Sequence, residues 1–379
     1  MANNNKHTGP NVPALRFPEF SGEWSKDCLN EFLEVQPARN TQGIYSKDDV
    51  LSVSGDYGVV NQIQLLGRSF AGKDVSNYHI VRTNEIVYTK SPLKEFPYGI
   101  VKTNQGTAGI VSTLYAVYSA KSNTNPKFVE YYFSSKERTN KYFKPIVRIG
   151  AKHDMKIGNE EVLRNIVVFP SKQEQNKIQE FLRIIDERIA IQSKIIEEQE
   201  TLLKSLRESL LKQCSKSSVS CKIGDILTIR SGKDYQHLEN GDIPVYGTGG
   251  LMCHVNNFLH DGESVCIGRK GTINKPLYLN GKFWPVDTLF YTHSFKGVLP
   301  RYCYHLFCTI DWLTYNEASG VPSLSKSTIE KISVVIPSIK IQESTVQTLD
   351  SVEQKIDIDR NVLLGYQQQK EYLLSRMFI

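Results

Sequence analysis

No stretch of this 379-residue chain contains the about 18 consecutive apolar residues that a membrane-spanning helix requires. The opening residues are polar and rich in Asn, without the apolar core of a secretory signal. Residues 1–15 are therefore expected to form a disordered tail, and the chain is expected to be cytoplasmic. The seven cysteines, an odd number, form no Cys-x-x-Cys pair. Free thiols in a reducing compartment are expected, ahead of metal binding. The eight His residues show no His-x-x-x-His or other ligand spacing, so no metal site is assigned.

Catalytic signatures are missing too. There is no Asn/Asp-Pro-Pro-aromatic tetrapeptide of an amino-methyltransferase, and no Pro-Asp followed by a spaced Asp/Glu-x-Lys of a common nuclease. Glu353-Gln354-Lys355 has the Glu-x-Lys form but lies in a helical heptad pattern, where a solvated face is expected. Gly67-Arg68-Ser69-Phe70-Ala71-Gly72-Lys73 fits a P-loop, yet Asp74 stands where a hydroxyl should hold Mg²⁺. The next residues, 75–81, read as turn and strand instead of the helix that would bind phosphate. No catalytic residue and no cofactor are assigned to this chain.

What is present is a long heptad. In residues 174–215 neither Pro nor Gly occurs, and Ile178, Leu182, Ile185, Ile189, Ile196, Leu203, Leu206 and Leu210 fall on one seam. Gln192 and Gln199 fill the two polar seam positions. Adding 167 to these numbers gives Leu349, Val352, Ile356, Leu363, Tyr366, Leu373 and Met377, with Asp359 opposite Gln192. Ile166-Val167-Val168-Phe169-Pro170-Ser171 likewise becomes Ser333-Val334-Val335-Ile336-Pro337-Ser338, and Gln175 becomes Gln342. The chain is a duplication of a globular part plus a helix. Residues 16–171 and 217–339 are the two globular parts, and 172–216 and 340–379 are the two helices. The fold class expected is α+β: two mostly-β domains separated by two long antiparallel helices that form an intramolecular coiled coil with pseudo-two-fold symmetry. Seam residues Leu182 to Leu210 and Leu349 to Met377 are assigned to helix pairing. Intramolecular pairing is favoured because the effective concentration is high.

In the first globular part, strand-like runs are read at 59–66, 78–81, 85–89, 99–101, 109–118 and 165–169, with a helix from Pro126 continuing towards Phe143. Phe17 and Trp24 read as aromatic anchors. The second part repeats the plan in spacing, with different loops. The net charge of +6 resides in these parts, since the helical regions hold 9 basic against 8 acidic and 5 against 6 residues. A basic pair of modules is compatible with a polyanionic partner. The best candidate for DNA contact is Gly268-Arg269-Lys270-Gly271-Thr272, with Lys275 beyond it. Its glycines permit close approach, and its cations suit phosphate or guanine. An ordinary basic turn remains the alternative. Tyr246, Thr248 and Gly249 lie in a second flexible loop. In the first part, Arg68, Lys73, Lys90, Lys94 and Lys102, with Tyr98 and Asn104 between them, occupy corresponding loops.

The order globular–helix–globular–helix resembles the DNA specificity subunit of type I restriction–modification systems. So do Pro170-Ser171, Glu174-Gln175, Phe181-Leu182 and Ile185-Asp186 at the helix start, and the run Gly320-Val321-Pro322-Ser323-Leu324-Ser325. The second copy departs at Ile341-Gln342, where the first has Glu174-Gln175. The resemblance implies that each globular part reads one half of an asymmetric, bipartite site in double-stranded DNA. It implies that the helices set the spacer and dock two modification subunits that methylate adenine, and that restriction subunits are possible further partners. S-adenosylmethionine, Mg²⁺ and ATP would then belong to the partner subunits. A coiled-coil adaptor without a nucleic-acid role and a stand-alone DNA-modifying enzyme are the alternatives.

Overall fold

The computed structural model describes residues 11–149, 155–213 and 218–379. Residues 1–10 of the expected tail, and the heptad run beyond Gln213, lie outside these residues. Residues 11–15 are tied in: Leu15 N donates to Arg376 O (2.9 Å), and Trp24 N to Asn11 O (2.9 Å). The chain forms two compact units, Met1–Ala190 with Leu364–Ile379, and Ile191–Leu363. Two long helices, Lys172–Gln213 (42 residues) and Ile339–Arg376 (38 residues), each contribute a part to both units.

Within the second unit the helices pair antiparallel. Ile196 and Leu203 bury against Leu349 and Ile356, flanked by Leu206, Leu210, Val352 and Leu363. Each such side chain, when fully buried, contributes roughly 1.5–3 kcal/mol. The polar seam positions converge on one acid. Gln199 Nε2 donates to Asp359 Oδ2 (2.8 Å), Gln192 Nε2 donates to the Asp359 carbonyl (3.2 Å), and Lys355 Nζ lies 3.0 Å from Oδ1. The Gln199 amide and the Lys355 ammonium hold this carboxyl below its ordinary range. One polar layer in an apolar seam fixes register, because any slip strands its buried hydrogen-bonding groups. In the first unit the seam gains a further neighbour. Ile178, Leu182 and Ile185 bury in a core with Trp24, Phe128 and Phe169, and Leu373, Leu374, Met377 and Phe378 join them. Seam residues of both helices thus share one cluster here, and the aromatic-rich module adds much of the apolar surface. Tyr366 is half-buried.

Each unit is built on a four-stranded antiparallel sheet with the same order. In the first it runs Leu33–Val35, Tyr115–Ala120, Ile86–Thr89, Val101–Thr103. In the second it runs Thr228–Ser231, Leu289–His293, Ser264–Gly268, Leu277–Leu279. A two-stranded ribbon closes each module just before its long helix. Ser25–Cys28 pairs with Ile166–Phe169, and Val219–Lys222 pairs with Ser333–Ile336. The run expected as a strand at 59–66 splits, with strand Gly58–Asn61 leading into helix Gln62–Leu66. Asn61 Oδ1 caps that helix by accepting from Ile63 N (2.9 Å) and Gln64 N (3.2 Å). The run 109–118 is two strands separated by a turn, and the helix from Pro126 breaks at Phe133 before resuming at Lys136.

The repeated glutamine at each helix start is fully buried. Gln175 Oε1 accepts from Asn125 N (2.8 Å), while its Nε2 donates to Asn123 O (3.2 Å) and Pro170 O (2.9 Å). Gln342 repeats the set. Its Oε1 accepts from Leu299 N (2.8 Å), and its Nε2 donates to Gly297 O (2.9 Å) and Pro337 O (2.8 Å). In each unit the carboxamide thus locks the first turn of a long helix to the start of the module's own helix, Pro126–Tyr132 or Pro300–Phe307. Replacing either residue by Ala leaves buried backbone groups unsatisfied. Gln175→Ala or Gln342→Ala should lower the unfolding free energy of its own unit by about 2–4 kcal/mol, read as an earlier transition in urea unfolding followed by circular dichroism. A change within measurement error would show that water replaces the amide at no cost.

Candidate nucleic-acid interface

Unit two gathers most of its predicted contact residues onto one edge. The hairpin of Asn240–Gly247 and Gly250–Val255 places Tyr246, Thr248 and Gly249 at and beside its turn. The loop after strand Ser264–Gly268 carries Arg269, Lys270, Gly271 and Thr272. The two loops meet, since a Cβ built on Gly271 would lie 3.6 Å from Thr248 Oγ1. Gly271 has φ +96°, in the left-handed region, and so serves a turn that other residues resist. Gly268 has no room for a side chain, because its Cβ would fall 2.1 Å from Thr272 O.

Backbone hydrogen bonds brace this basic loop. Arg269 N donates to Thr288 O (2.8 Å), Gly271 N donates to Pro322 O (2.8 Å), and Leu324 N donates to Arg269 O (2.9 Å). Lys270 bridges to Ser323. The run 320–325 is therefore the strut of the loop, a role invisible in the sequence because some fifty residues separate the partners. The backbone is held while the Arg269 and Lys270 side chains stay exposed. Lys275 is exposed and Thr272 half-buried; Tyr246 packs against Phe283 (6.4 Å between ring centroids).

Unit one is less concentrated. Arg68 stacks over Phe70 (4.6 Å), and both are exposed; Lys73 and Lys94 are exposed as well. Lys90 is half-buried, bonds the Asn159 side chain, and has its pKa lowered by burial. Tyr98 is half-buried and accepts from Tyr88 Oη through its carbonyl (2.7 Å). Lys102 lies 3.6 Å from the buried Glu130, and burial lowers its pKa too. Asn104 corrects the expectation of a groove-reading residue. It is 1 % exposed, and its amide donates to Thr107 O (3.0 Å) and Arg82 O (3.3 Å) while its oxygen accepts from Gly106 N (3.0 Å). The side chain staples its own loop and has no free group for a base.

A polar network of the second unit was also missed. Glu353, expected on a solvated face, accepts from Arg207, Arg301 and Tyr304 Oη (3.2 Å). Arg301 Nε donates to Asp350 (2.8 Å). His305, fully buried, accepts from Arg207 Nε at Nδ1 (3.3 Å) and faces Asp350 Oδ1 with Nε2 (2.8 Å). The guanidinium at Nδ1 places the ring proton on Nε2 and keeps the ring neutral. His305, Asp350 and Glu353 stand close enough to hold a cation. Two guanidinium groups already occupy their lone pairs, so the arrangement is an ion-pair network that joins module to helix.

Residues 216–364 match the family model of the type I restriction modification DNA specificity domain. The fold of the whole chain is that of type I specificity subunits. It superposes on the S subunit of a type I restriction–modification system from M. genitalium with a TM-score of 0.63, 15 % identity, and coverage of 97 % of this chain and 99 % of that one. A second structure, from work on complex assembly and conformational transition of a type I system, gives a TM-score of 0.58 at 11 % identity, covering 94 % and 97 %. Among curated sequences, the chain is 25 % identical over 117 residues to a putative type I restriction enzyme specificity subunit of Haemophilus influenzae, 30 % of each chain. It is 23 % identical over 142 residues to the EcoprrI specificity subunit of Escherichia coli, 35 % of each. The aligned stretches thus span about a third of these relatives. No helix among the described residues is long and apolar enough to cross a membrane.

Burial, more than its neighbours, depresses the His305 pKa, to about 4. The unfolded value is about 6.5. The folded unit therefore binds fewer protons than the unfolded chain between these values. Its stability is fully present above pH 6.5 and is lost as pH falls towards 4, by on the order of 3 kcal/mol. His305→Gln should flatten this part of the pH dependence, measured as the difference in Tm between variant and parent from pH 7 to 4. Parallel curves would exclude a buried neutral imidazole.

Proposed function

We propose that this chain is the sequence-reading subunit of a type I restriction–modification complex in the cytoplasm. Each module reads one half of a bipartite, asymmetric site in double-stranded DNA. The paired helices set the spacer and dock two modification subunits, with restriction subunits as possible further members. The observation that carries the reading is the duplication itself: one sheet order and one glutamine clamp in both units, bearing different loops. One scaffold with two different surfaces suits an unsymmetrical target. Chemistry is assigned to the partners, which would hold S-adenosylmethionine, Mg²⁺ and ATP. Arg269, Lys270, Thr248 and Lys275 are proposed as contacts of the second module, and Arg68, Lys73 and Lys94 as those of the first.

The decisive experiment maps methylated adenines across the genome of a host with and without the chain and its partner subunits. A bipartite motif that depends on the chain is expected; none would leave a coiled-coil adaptor. Purified chain alone, given DNA, Mg²⁺ and S-adenosylmethionine, should transfer nothing. Within the complex, Arg269→Ala should relax one position of one half-site by about 1–3 kcal/mol. Lys270→Ala should weaken all duplexes alike and reduce the salt slope by about one. Removing four residues around Gln199 and the matching four around Asp359 takes about 6 Å from the helix pair, at about 1.5 Å per residue. The preferred spacer should shorten by one or two base pairs, at about 3.4 Å each. An unchanged motif would remove the ruler role.

A further inference from the structure

Resting on that reading, we propose that Met252 reads a thymine methyl group in the half-site taken by the second unit. Met252 and Leu251 follow the hairpin turn and are 54 % and 56 % exposed. Gly247 pairs with Gly250 and Tyr246 with Leu251 across the hairpin. Met252 lies back over Gly247: a Cβ on that glycine would stand 2.7 Å from Met252 Sδ and 3.7 Å from Val286 Cγ2. The thioether is therefore on the side of the hairpin that meets Val286, whose N–H donates to Tyr246 O (3.0 Å). Leu251 pairs with Tyr246, and Met252 is the extra residue of a bulge before the Val245–Cys253 pair. The braced basic loop begins next to it, with Thr248 against Gly271 and with Arg269 N and Lys270 N both on Thr288 O.

This edge combines two half-exposed apolar side chains, Leu251 and Met252, with Arg269 and Lys270, and residues 243–260 carry no Asp, Glu, Lys or Arg. Asp287 is the neighbouring acid, and its carbonyl faces Arg269 Nη1 (3.5 Å). Two apolar side chains at a hairpin tip beside a basic loop are too small for an apolar protein surface. The edge matches the DNA major groove, which admits a two-stranded ribbon and offers the C5-methyl of thymine as its apolar feature. Met is suited to the contact because its unbranched, polarizable side chain adapts to shape. Gly247 is what permits the orientation.

The test uses the full complex and starts from its mapped motif. Duplexes carrying deoxyuridine for each thymine of the second unit's half-site, one at a time, remove single methyl groups. At one position the parent complex should bind about fourfold more weakly, the worth of one buried methyl. Met252→Ala should bind thymine and deoxyuridine there equally. Gly247→Ala, which keeps the thioether but displaces it, should do the same, and Met252→Leu should retain most of the preference. Folding of each variant is checked by its co-purification with the complex. The inference is overturned if the half-site lacks thymine, if no deoxyuridine weakens binding, or if Met252→Ala and Gly247→Ala keep the parent motif. Equal weakening of Met252→Ala on all sequences, with the parent's thymine preference intact, also overturns it. Absence of any motif for the parent complex instead refutes the function on which the inference rests.

Discussion

Two buried carboxamides hold this protein's plan together. A long helix leaves the first N–H groups of its opening turn without intrahelical partners, and a strand ending beside it leaves carbonyls unpaired. Gln175 and Gln342 use both ends of the amide at that junction, three bonds apiece. The angle at which each helix leaves its module is thereby fixed. Around the first clamp, Arg16 and Trp24 both donate to Glu174, the neighbouring buried acid (2.8 and 3.2 Å to Oε1). The second copy has Ile341 at that place, and its ion pairs lie further along, where Glu353 stands one repeat length after Asp186. Asp186 itself accepts from Tyr131 Oη (2.6 Å) and pairs with Lys370 (2.5 Å). Each unit thus secures module to helix through one amide and through charged side chains, at Glu174 and Asp186 in the first and at Glu353 in the second.

The layers of the helix pair divide the labour between strength and selectivity. Leucine and isoleucine supply most of the free energy, and the Gln192–Gln199–Asp359 layer decides which turn faces which. A ruler requires that decision, since a slip by one heptad would change its length by about 10 Å. The basic loop of the second unit follows the same logic at smaller scale. Backbone bonds fix the path of residues 268–272, and the cationic side chains are left to find their partners.

Periodicity made the large features legible. The seam, its repeat at 167 residues and the polar position within it are all one-dimensional patterns, and each has its counterpart in the folded chain. The short elements were harder to see. Strands of three residues such as Leu33–Val35 carry too few alternations to register, and the apolar run 59–66 hid the Asn61 cap that turns it into a helix. Asn104 and Glu353 show the commonest failure. A polar residue in a loop or on a helix looks free until its partners are known, whether in its own loop, as for Asn104, or well over a hundred residues away, as for Glu353. Most of the candidate cations, Lys90 and Lys102 excepted, are exposed positions, but the strut at 320–325 that steadies two of them could not be read from the sequence.

The clamp has one more property. All six groups it engages belong to the main chain: the amides of Asn125 and Leu299, and the carbonyls of Asn123, Pro170, Gly297 and Pro337. It is a sequence-blind joint. A module that presents the same backbone turn satisfies it whatever its side chains are, so the loops of the module can change without altering its attachment to the helix.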